Sequence, residues 1–84
     1  MLTDENIQSG VFAIIEPYVK NGKDVDLEKD LYSDLGVESV NAIQILLTLE
    51  ENFGISIDDN DFIQARTTQQ IIELVQKLEG GIND

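Results

Sequence analysis

One short stretch decides how this chain is interpreted: Asp34-Leu35-Gly36-Val37-Glu38-Ser39-Val40. Gly36 can take a positive φ and end a loop, and a small hydroxyl residue, Ser39, follows three positions later. From there, apolar residues recur at helical spacing as far as Phe53. The pattern predicts that Ser39 opens a helix that runs from about 39 to 52. We expect the rest of the chain to hold and present this serine.

The helix after Ser39 has a recognisable apolar pattern and a clear stop. Its apolar residues are Val40, Ile43, Ile45, Leu46, Leu47, Leu49 and Phe53. Gly54 follows the last of them and predicts a left-handed C-cap. Asp58 then predicts the N-cap of a short helix from 59 to about 64, with Phe62 as its anchor in the core.

The segment before this stretch predicts a first helix from about 4 to 20. One apolar stripe with spacings of three and four is formed by Ile7, Val11, Ile14, Ile15 and Tyr18. Thr3 is the expected N-cap, and Pro17 is expected to kink or end the helix near Glu16 because it lacks an N–H donor. Asn21-Gly22 is a turn signal that stops it.

Residues 21–38 form a long connection between the first two helices. It is polar at first and then carries four apolar residues, Val25, Leu27, Leu31 and Leu35. We expect these side chains to fix the loop to the core. Loops of this length are uncommon inside a small domain and are often functional.

The last segment predicts a helix from about 68 to 79. Thr67 and Gln70 have the spacing of a capping box, and Gly80-Gly81 marks the end. The expected buried face consists of Ile71, Ile72, Leu74, Val75 and Leu78. No alternating strand pattern competes, so the sequence predicts an all-α fold. The architecture is a small antiparallel bundle of three main helices plus one short helix, in a single domain over residues 1–84.

Composition excludes most kinds of catalysis. The chain has 84 residues, no cysteine and no histidine. It therefore has no disulfide and no thiolate metal site, and it lacks the commonest general base and zinc ligand. A hydrolase triad needs a base beside the serine, and here only carboxylates and lysine amines are present. We predict that the protein is not an enzyme and holds no metal.

The charge is strongly negative and unevenly distributed. Seventeen acidic residues against five basic ones give a formal net charge of −12. No Lys or Arg occurs between Lys29 and Arg66, an interval that contains Asp30, Asp34, Glu38, Glu50, Glu51, Asp58, Asp59 and Asp61. Such a chain repels nucleic acid, because phosphate contacts require cations. Acidity can serve solubility alone, but an unbroken negative stretch around Ser39 favours partners with basic docking patches.

No part of the sequence predicts a membrane partner. No apolar run approaches the length of a membrane span. The N-terminal residues also lack the basic region and apolar core of a signal peptide. We expect a monomeric protein of the cytoplasm.

Ser39 taken by itself has an ordinary explanation. A serine before an apolar run is most often a plain N-cap. The second explanation is covalent modification, because a phosphate at a helix N-terminus lies near free backbone N–H groups and the positive end of the helix dipole. The flanking loop, the patterned helix and the chain length together favour modification.

Two other interpretations compete. Calcium ligands are suggested by the alternating acids Asp24, Asp26, Glu28 and Asp30. A helix-loop-helix calcium site also requires glycine at its sixth position and glutamate at its twelfth, but Lys29 and Leu35 occupy them. That motif therefore fails. An acidic helical adaptor with no covalent cofactor remains open, and it predicts that Ser39 stays unmodified.

These features together resemble the acyl carrier protein family, which includes the peptidyl and aryl carrier domains. The resemblance covers nearly the whole chain and rests on residues 34–40, on residues 49–57 and on Thr67-Thr68 before the last helix. The family's attachment motif usually reads Asp-Ser-Leu, and here it reads Glu38-Ser39-Val40. By this resemblance, Ser39 carries a 4′-phosphopantetheine arm, donated by coenzyme A in the active site of a separate magnesium-dependent phosphopantetheinyl transferase. The thiol of the arm would hold an acyl or aminoacyl group as a thioester.

The resemblance also implies a partner surface on the second helix. The matching positions are Glu38, Val40, Asn41, Gln44, Leu47, Glu50 and Glu51. They would meet acyl- or aminoacyl-loading and condensing enzymes. Many fatty-acid carriers have acids where this chain has Asn41 and Gln44, so we expect a dedicated polyketide-like or nonribosomal-peptide-like pathway, with fatty-acid synthesis as the alternative. The family further implies that the helices part slightly to shelter an acyl chain.

Overall fold

A computed structural model describes residues 4–20 and 25–80. Within these ranges, the α-helices are α1 (Asp4–Ile15), α2 (Ser39–Phe53), α3 (Asp59–Gln64) and α4 (Thr68–Gly80), and a 3₁₀ turn at Glu16–Tyr18 follows α1. The described part of the chain contains no strand and only an isolated bridge between Asp30 and Thr67. The predicted all-α fold, a small helical bundle, is confirmed. The predicted signals at Thr3, Asn21-Gly22, Asp24 and Gly81 lie outside the described residues.

The first helix is shorter than the predicted 4 to 20. Regular α-helix ends at Ile15, and the 3₁₀ turn that follows contains Pro17. A proline cannot donate an N–H to the carbonyl four residues back, so the chain tightens into a three-residue turn. Val19 closes the turn by donating its N–H to the Glu16 carbonyl at 3.1 Å, and its own backbone is extended. The end of helical structure near Pro17 is confirmed, and its extension to Lys20 is wrong.

The core is built from one face of each helix and from the long connection. The buried hydrophobic residues are Ile7, Val11, Ile15, Leu31, Leu35, Val37, Ile45, Leu46, Leu49, Ile57, Phe62, Ala65, Ile71, Ile72 and Val75. Helix α1 packs on both α4 and α2, and α3 packs on α4. The contact between α1 and α2 is close at Gly10, where an added Cβ would lie 2.8 Å from the ring of Phe53.

The long connection is fixed to the core as predicted. Leu31 and Leu35 are buried, and Val25 and Leu27 pack against the same cluster. The backbone adds two links to the junction between α3 and α4. Leu31 donates its N–H to the Arg66 carbonyl at 2.8 Å, and Gln69 donates to the Leu27 carbonyl at 3.1 Å. The loop therefore lies across the start of α4 and is held at both of these points.

The predicted C-cap of α2 and the predicted N-caps of α3 and α4 are confirmed. Gly54, at φ 64° and ψ 40°, ends α2 one residue later than expected, and its N–H bonds the Glu50 carbonyl. The Asp58 carboxylate accepts the N–H of Asn60 at 2.8 Å. At α4, Thr67 Oγ1 accepts the Gln70 N–H and Gln70 Oε1 accepts the Thr67 N–H, each at 3.1 Å. This reciprocal pair is a capping box.

Candidate functional site

Ser39 is exposed and is the first residue of α2. The N-cap is the residue before it, Glu38, which has extended backbone angles and makes no side-chain capping bond. No hydrogen bond joins the Ser39 hydroxyl to any other residue of the described ranges 4–20 and 25–80. The helix start predicted at this serine is confirmed, whereas its hydroxyl does not serve as a helix cap. The hydroxyl is free to react.

The loop before Ser39 is held in place by the end of the first helical segment. Gly36 has a φ of +78°, which confirms the predicted positive value. Lys20 donates its backbone N–H to the Leu35 carbonyl at 3.0 Å, and its side-chain stem runs so close to Gly36 that a Cβ there would collide with Lys20 Cγ. On the other side, buried Val37 donates its N–H to the Leu31 carbonyl at 2.9 Å. Ser39 therefore follows a loop, residues 35–38, that is held by contacts on both sides and is called the braced loop below.

Lys20 also contacts the residue next to the serine. Its Nζ lies 2.9 Å from Glu38 Oε2. This hydrogen bond and the charge of the ammonium group lower the pKa of the Glu38 carboxyl. Both side chains are exposed, so the pair is weak and sensitive to salt. Glu38, which was predicted to bind partners, already has a cation of its own chain as a partner.

A cleft opens beside Ser39, between α2 and α3. Its volume is about 460 Å³. It is lined by Tyr32, Ser39, Ala42, Ile43, Leu46, Asp59, Phe62, Ile63 and Arg66. The lining is mainly apolar, with buried Leu46 and Phe62 on the core side. A group attached to Ser39 would therefore lie at the entrance of a mainly apolar space.

One wall of the cleft is polar. Arg66 donates from Nε to Asp30 Oδ2 at 2.7 Å and from Nη2 to Asp30 Oδ1 at 3.1 Å. Its guanidinium also lies over the Tyr32 ring, 5.0 Å from the centroid. Hydrogen bonds from Arg66 and from the backbone N–H groups of Ser33 and Tyr32 hold the pKa of Asp30 well below its usual range. Burial raises the pKa of the Tyr32 phenol, which therefore stays protonated.

Sequence reasoning missed the roles of Arg66 and Tyr32, and it considered Asp30 only as a calcium ligand and as one of the acids around Ser39. Asp30 and Arg66 are 36 positions apart, so no local pattern joins them. The one available signal was that Arg66 is the single arginine of a chain with a net charge of −12. The same carboxylate is engaged by Arg66 and by two backbone donors, and within residues 4–20 and 25–80 no group of acids could hold a metal ion.

The predicted partner positions on α2 fall into two groups. Val40, Gln44, Leu47 and Glu51 are exposed. Asn41 and Glu50 are partly buried, and the Glu50 carboxylate accepts the Ile57 N–H at 2.9 Å, which ties it to the loop after α2. Two exposed apolar residues were missed, Ile43 on α2 and Ile63 on α3. With Val40 and Leu47 they form an exposed apolar strip, with exposed fractions of 74% for Val40, 57% for Ile43, 53% for Leu47 and 64% for Ile63.

Comparison with known proteins identifies the family. The family described as "Phosphopantetheine attachment site" matches residues 11–75, a range that includes Ser39 and every residue that lines the cleft. A meromycolate extension acyl carrier protein of Mycobacterium tuberculosis is 30% identical over 79 residues, which are 93% of this chain and 69% of the relative. Its counterpart in Mycolicibacterium smegmatis is 32% identical over 78 residues, or 92% of this chain and 79% of that protein. An acyl carrier protein of Trieres chinensis is 31% identical over 52 residues, 62% of this chain and 65% of its own length.

The chain belongs to the acyl carrier protein family of phosphopantetheine-binding proteins. It is a carrier of acyl groups and not an enzyme, and its cofactor is 4′-phosphopantetheine. The site fits this cofactor, because an exposed hydroxyl that makes no hydrogen bond within the described residues lies at the start of a helix and beside a mainly apolar cleft. When bound, the cofactor supplies a terminal thiol that holds the acyl group as a thioester. An adaptor without a cofactor, which the sequence left open, is not compatible with this family.

No helix in the described ranges is both long enough and apolar enough to cross a membrane.

Proposed function

We propose that Ser39 is the residue that carries the 4′-phosphopantetheine arm, in a single carrier domain that delivers thioester-bound intermediates to separate enzymes. The observation that supports this most strongly is the position of the Ser39 hydroxyl. It is exposed, it is not used as a cap, and it lines the mouth of a cleft of about 460 Å³. The braced loop before it gives a modifying enzyme a defined shape to recognise.

The modification is a phosphoryl transfer in which Ser39 is the nucleophile. In the active site of a phosphopantetheinyl transferase, the serine oxygen attacks the β-phosphorus of coenzyme A. A new oxygen–phosphorus bond forms, the bond to the adenosine 3′,5′-bisphosphate leaving group breaks, and the serine proton passes to a base of the transferase. The carrier chain contributes the nucleophile and its presentation, which suits a chain without histidine or cysteine.

The surroundings of Ser39 partly compensate the charge of the resulting phosphodiester. The N-terminus of α2 stabilises an anion by roughly 0.3–1 kcal/mol at an exposed site. Glu38 and Asp34 repel it, but the Lys20 ammonium group lies 2.9 Å from the Glu38 carboxylate and partly offsets its charge. The net effect is a phosphodiester that stays exposed without strong local repulsion.

The partner surface of this proposal is the exposed strip of Val40, Ile43, Leu47 and Ile63, with Gln44 and Glu51 beside it on α2. The transferase and the loading and condensing enzymes would cover these apolar side chains and would place basic groups against the surrounding acids. Asn41 and Gln44 replace acids found in many fatty-acid carriers, which favours partners from a dedicated polyketide-like or nonribosomal-peptide-like pathway of the cytoplasm.

A second candidate is a role in extending fatty acyl chains. It is favoured by the names of the mycobacterial relatives, which are meromycolate extension acyl carrier proteins. The two candidates differ in cargo, and the natural thioester distinguishes them. Base treatment of the protein isolated from its source hydrolyses the thioester, and mass spectrometry identifies the released acid. A carboxylic acid with further functional groups, or an amino acid, is expected for a dedicated pathway. A plain long-chain fatty acid would support chain extension.

The attachment itself is tested by intact mass. Incubation with coenzyme A, magnesium and a broad-specificity phosphopantetheinyl transferase should add the mass of one phosphopantetheinyl group. Ser39→Ala should add none. Ser56→Ala is the matched control, because Ser56 is also exposed but lies in the loop between α2 and α3, and this variant should load like the wild type. Equal loading of Ser39→Ala and wild type would overturn the assignment of Ser39.

A further inference from the structure

The single arginine of this acidic chain lines the cleft beside Ser39. A cleft for plain alkyl chains needs no cation in its wall. Arg66 is 52% exposed, so water reaches its guanidinium. An alkyl group packed against it would displace that water without offering an acceptor in return, which is unfavourable. The cleft is therefore poorly suited to a cargo that is wholly apolar on the Arg66 side.

The Arg66 guanidinium is held in place by two contacts and still has unused N–H donors. Of its five N–H groups, Asp30 takes one on Nε and one on Nη2. The other three have no acceptor within residues 4–20 and 25–80. The paired carboxylate and the Tyr32 ring hold the fork rigid, so little conformational entropy is lost when another acceptor binds. The Tyr32 hydroxyl, in the same lining, also has no partner in those ranges.

The charges around the cleft select a neutral acceptor over an anion. The charge of Arg66 is already balanced by Asp30, and the cleft lining includes a further carboxylate, Asp59. A carboxylate on the cargo would thus face two carboxylates and one guanidinium. A ketone or hydroxyl oxygen can accept from Arg66 and Tyr32 without that repulsion.

We propose that Arg66 and Tyr32 form a hydrogen-bonding subsite for a neutral oxygen, a ketone or a hydroxyl, on the acyl group carried at Ser39. This subsite deepens the proposed function and rests on attachment at Ser39. The apolar residues Ala42, Leu46 and Phe62 hold the hydrocarbon part of the same group. The volume of about 460 Å³ lies within the usual range of about 300–1,000 Å³ for small-molecule pockets. The cargo is then an oxygenated acyl chain and not a fully reduced one.

The test compares matched cargoes on the full chain. A phosphopantetheinyl transferase loads the wild-type protein from coenzyme A analogues in which a hydrolysis-resistant amide replaces the thioester and carries an octanoyl, 3-oxooctanoyl, 5-oxooctanoyl or 7-oxooctanoyl group. At least one oxo derivative should raise the melting temperature above that of the octanoyl form by about 4 °C or more, as a single added hydrogen bond would in a domain of this size. Equal or lower melting temperatures for all oxo derivatives would overturn the subsite.

The variants assign the effect to the two side chains. Each variant is compared with itself across the cargoes, so a general loss of stability cancels. Arg66→Met should abolish the oxo-dependent rise. Tyr32→Phe keeps the ring under Arg66 and should reduce the rise, and it tests the subsite even if Arg66→Met folds poorly. Lys77→Met removes an exposed cation from α4, outside this cleft, and should leave the rise intact.

Two failures can be told apart by mass. A chain that accepts none of the analogues contradicts attachment at Ser39. A chain that loads each analogue but melts at the same temperature with octanoyl and oxo groups contradicts the subsite alone. A rise that survives unchanged in both Arg66→Met and Tyr32→Phe also contradicts it.

Discussion

The two sides of this small bundle differ in how completely their apolar side chains are buried. Where α1 meets α4, the central side chains Val11, Ile15, Ile71 and Val75 are completely buried. Where α2 meets α3, a cleft remains and large apolar side chains face solvent on both helices. Ser39 lies on this second side. The first side supplies stability, and the second side leaves room for a cargo and apolar surface for a partner.

The long connection between α1 and α2 contributes to both sides of the bundle. Residues 25–38 pack buried leucines into the core and lead directly to Ser39 at the edge of the cleft. The polar wall of the cleft, Asp30 and Tyr32, comes from this connection, while Arg66 comes from the junction of α3 and α4. The side of the bundle that contains the cleft is therefore bounded by specific contacts between these three side chains.

The largest expected effect compares one isoleucine from each side. Ile71→Ala removes a completely buried side chain from the α4 face and should lower the free energy of unfolding by about 2–5 kcal/mol. Ile63→Ala removes an exposed side chain of α3 and should change it by less than about 0.5 kcal/mol. Urea unfolding measures both. Equal losses in the free energy of unfolding would show that the α3 side is packed as fully as the α4 side, which would contradict the difference between the two sides.

A smaller effect is expected at the glycines that flank α2. Gly36→Ala forces a side chain into a positive φ and against the stem of Lys20, so it should cost about 2 kcal/mol and disturb the Lys20–Glu38 pair. Gly54→Ala also has a positive φ but meets open space, so about 1 kcal/mol is expected. Only Gly36→Ala should also slow loading by the transferase. If both variants load at the wild-type rate, the braced loop does not matter for presentation of Ser39.

The smallest effect concerns the polar wall and appears only in acid. The pKa of Asp30 is lowered in the folded state, chiefly by Arg66, so its stabilising effect is present above the unfolded value of about 3.9 and is lost as pH falls. The urea midpoint of the wild type should therefore fall further than that of Asp30→Asn between about pH 5 and pH 2. Asp61→Asn, at an exposed acid of α3, controls for general loss of charge. Parallel pH profiles for wild type and Asp30→Asn would contradict the pairing with Arg66.

The helix ends could be predicted because their causes are local. Gly54, Asp58 and the pair Thr67 and Gln70 act within four residues of the helix end they define, so short sequence patterns contain the whole signal. The buried positions of α1 and α4 were predictable for the same reason, since a stripe of helical period must face something. Pro17 likewise predicted the end of α1, although not the exact length of the turn after it.

The cleft and its polar wall could not be predicted, because they depend on how separate segments meet. The helical spacing of apolar residues in α2 includes Ile43. Its exposure depends on how α2 and α3 pack, which the spacing does not contain. Asp30 and Arg66 pair across 36 positions, and Tyr32 joins them only because the connection folds across the start of α4. The proposal that Ser39 carries the cofactor came from resemblance to a family, since a serine at a helix start is otherwise most often a cap.

Attachment at Ser39 is tested most directly by locating the modification on the loaded wild-type protein. Proteolysis followed by fragment-ion mass spectrometry distinguishes Ser39 from the other described serines, Ser9, Ser33 and Ser56. We expect one phosphopantetheinyl group per chain, entirely on Ser39, at the edge of the cleft between α2 and α3. A group found on any other residue, or spread over several, would contradict attachment at Ser39.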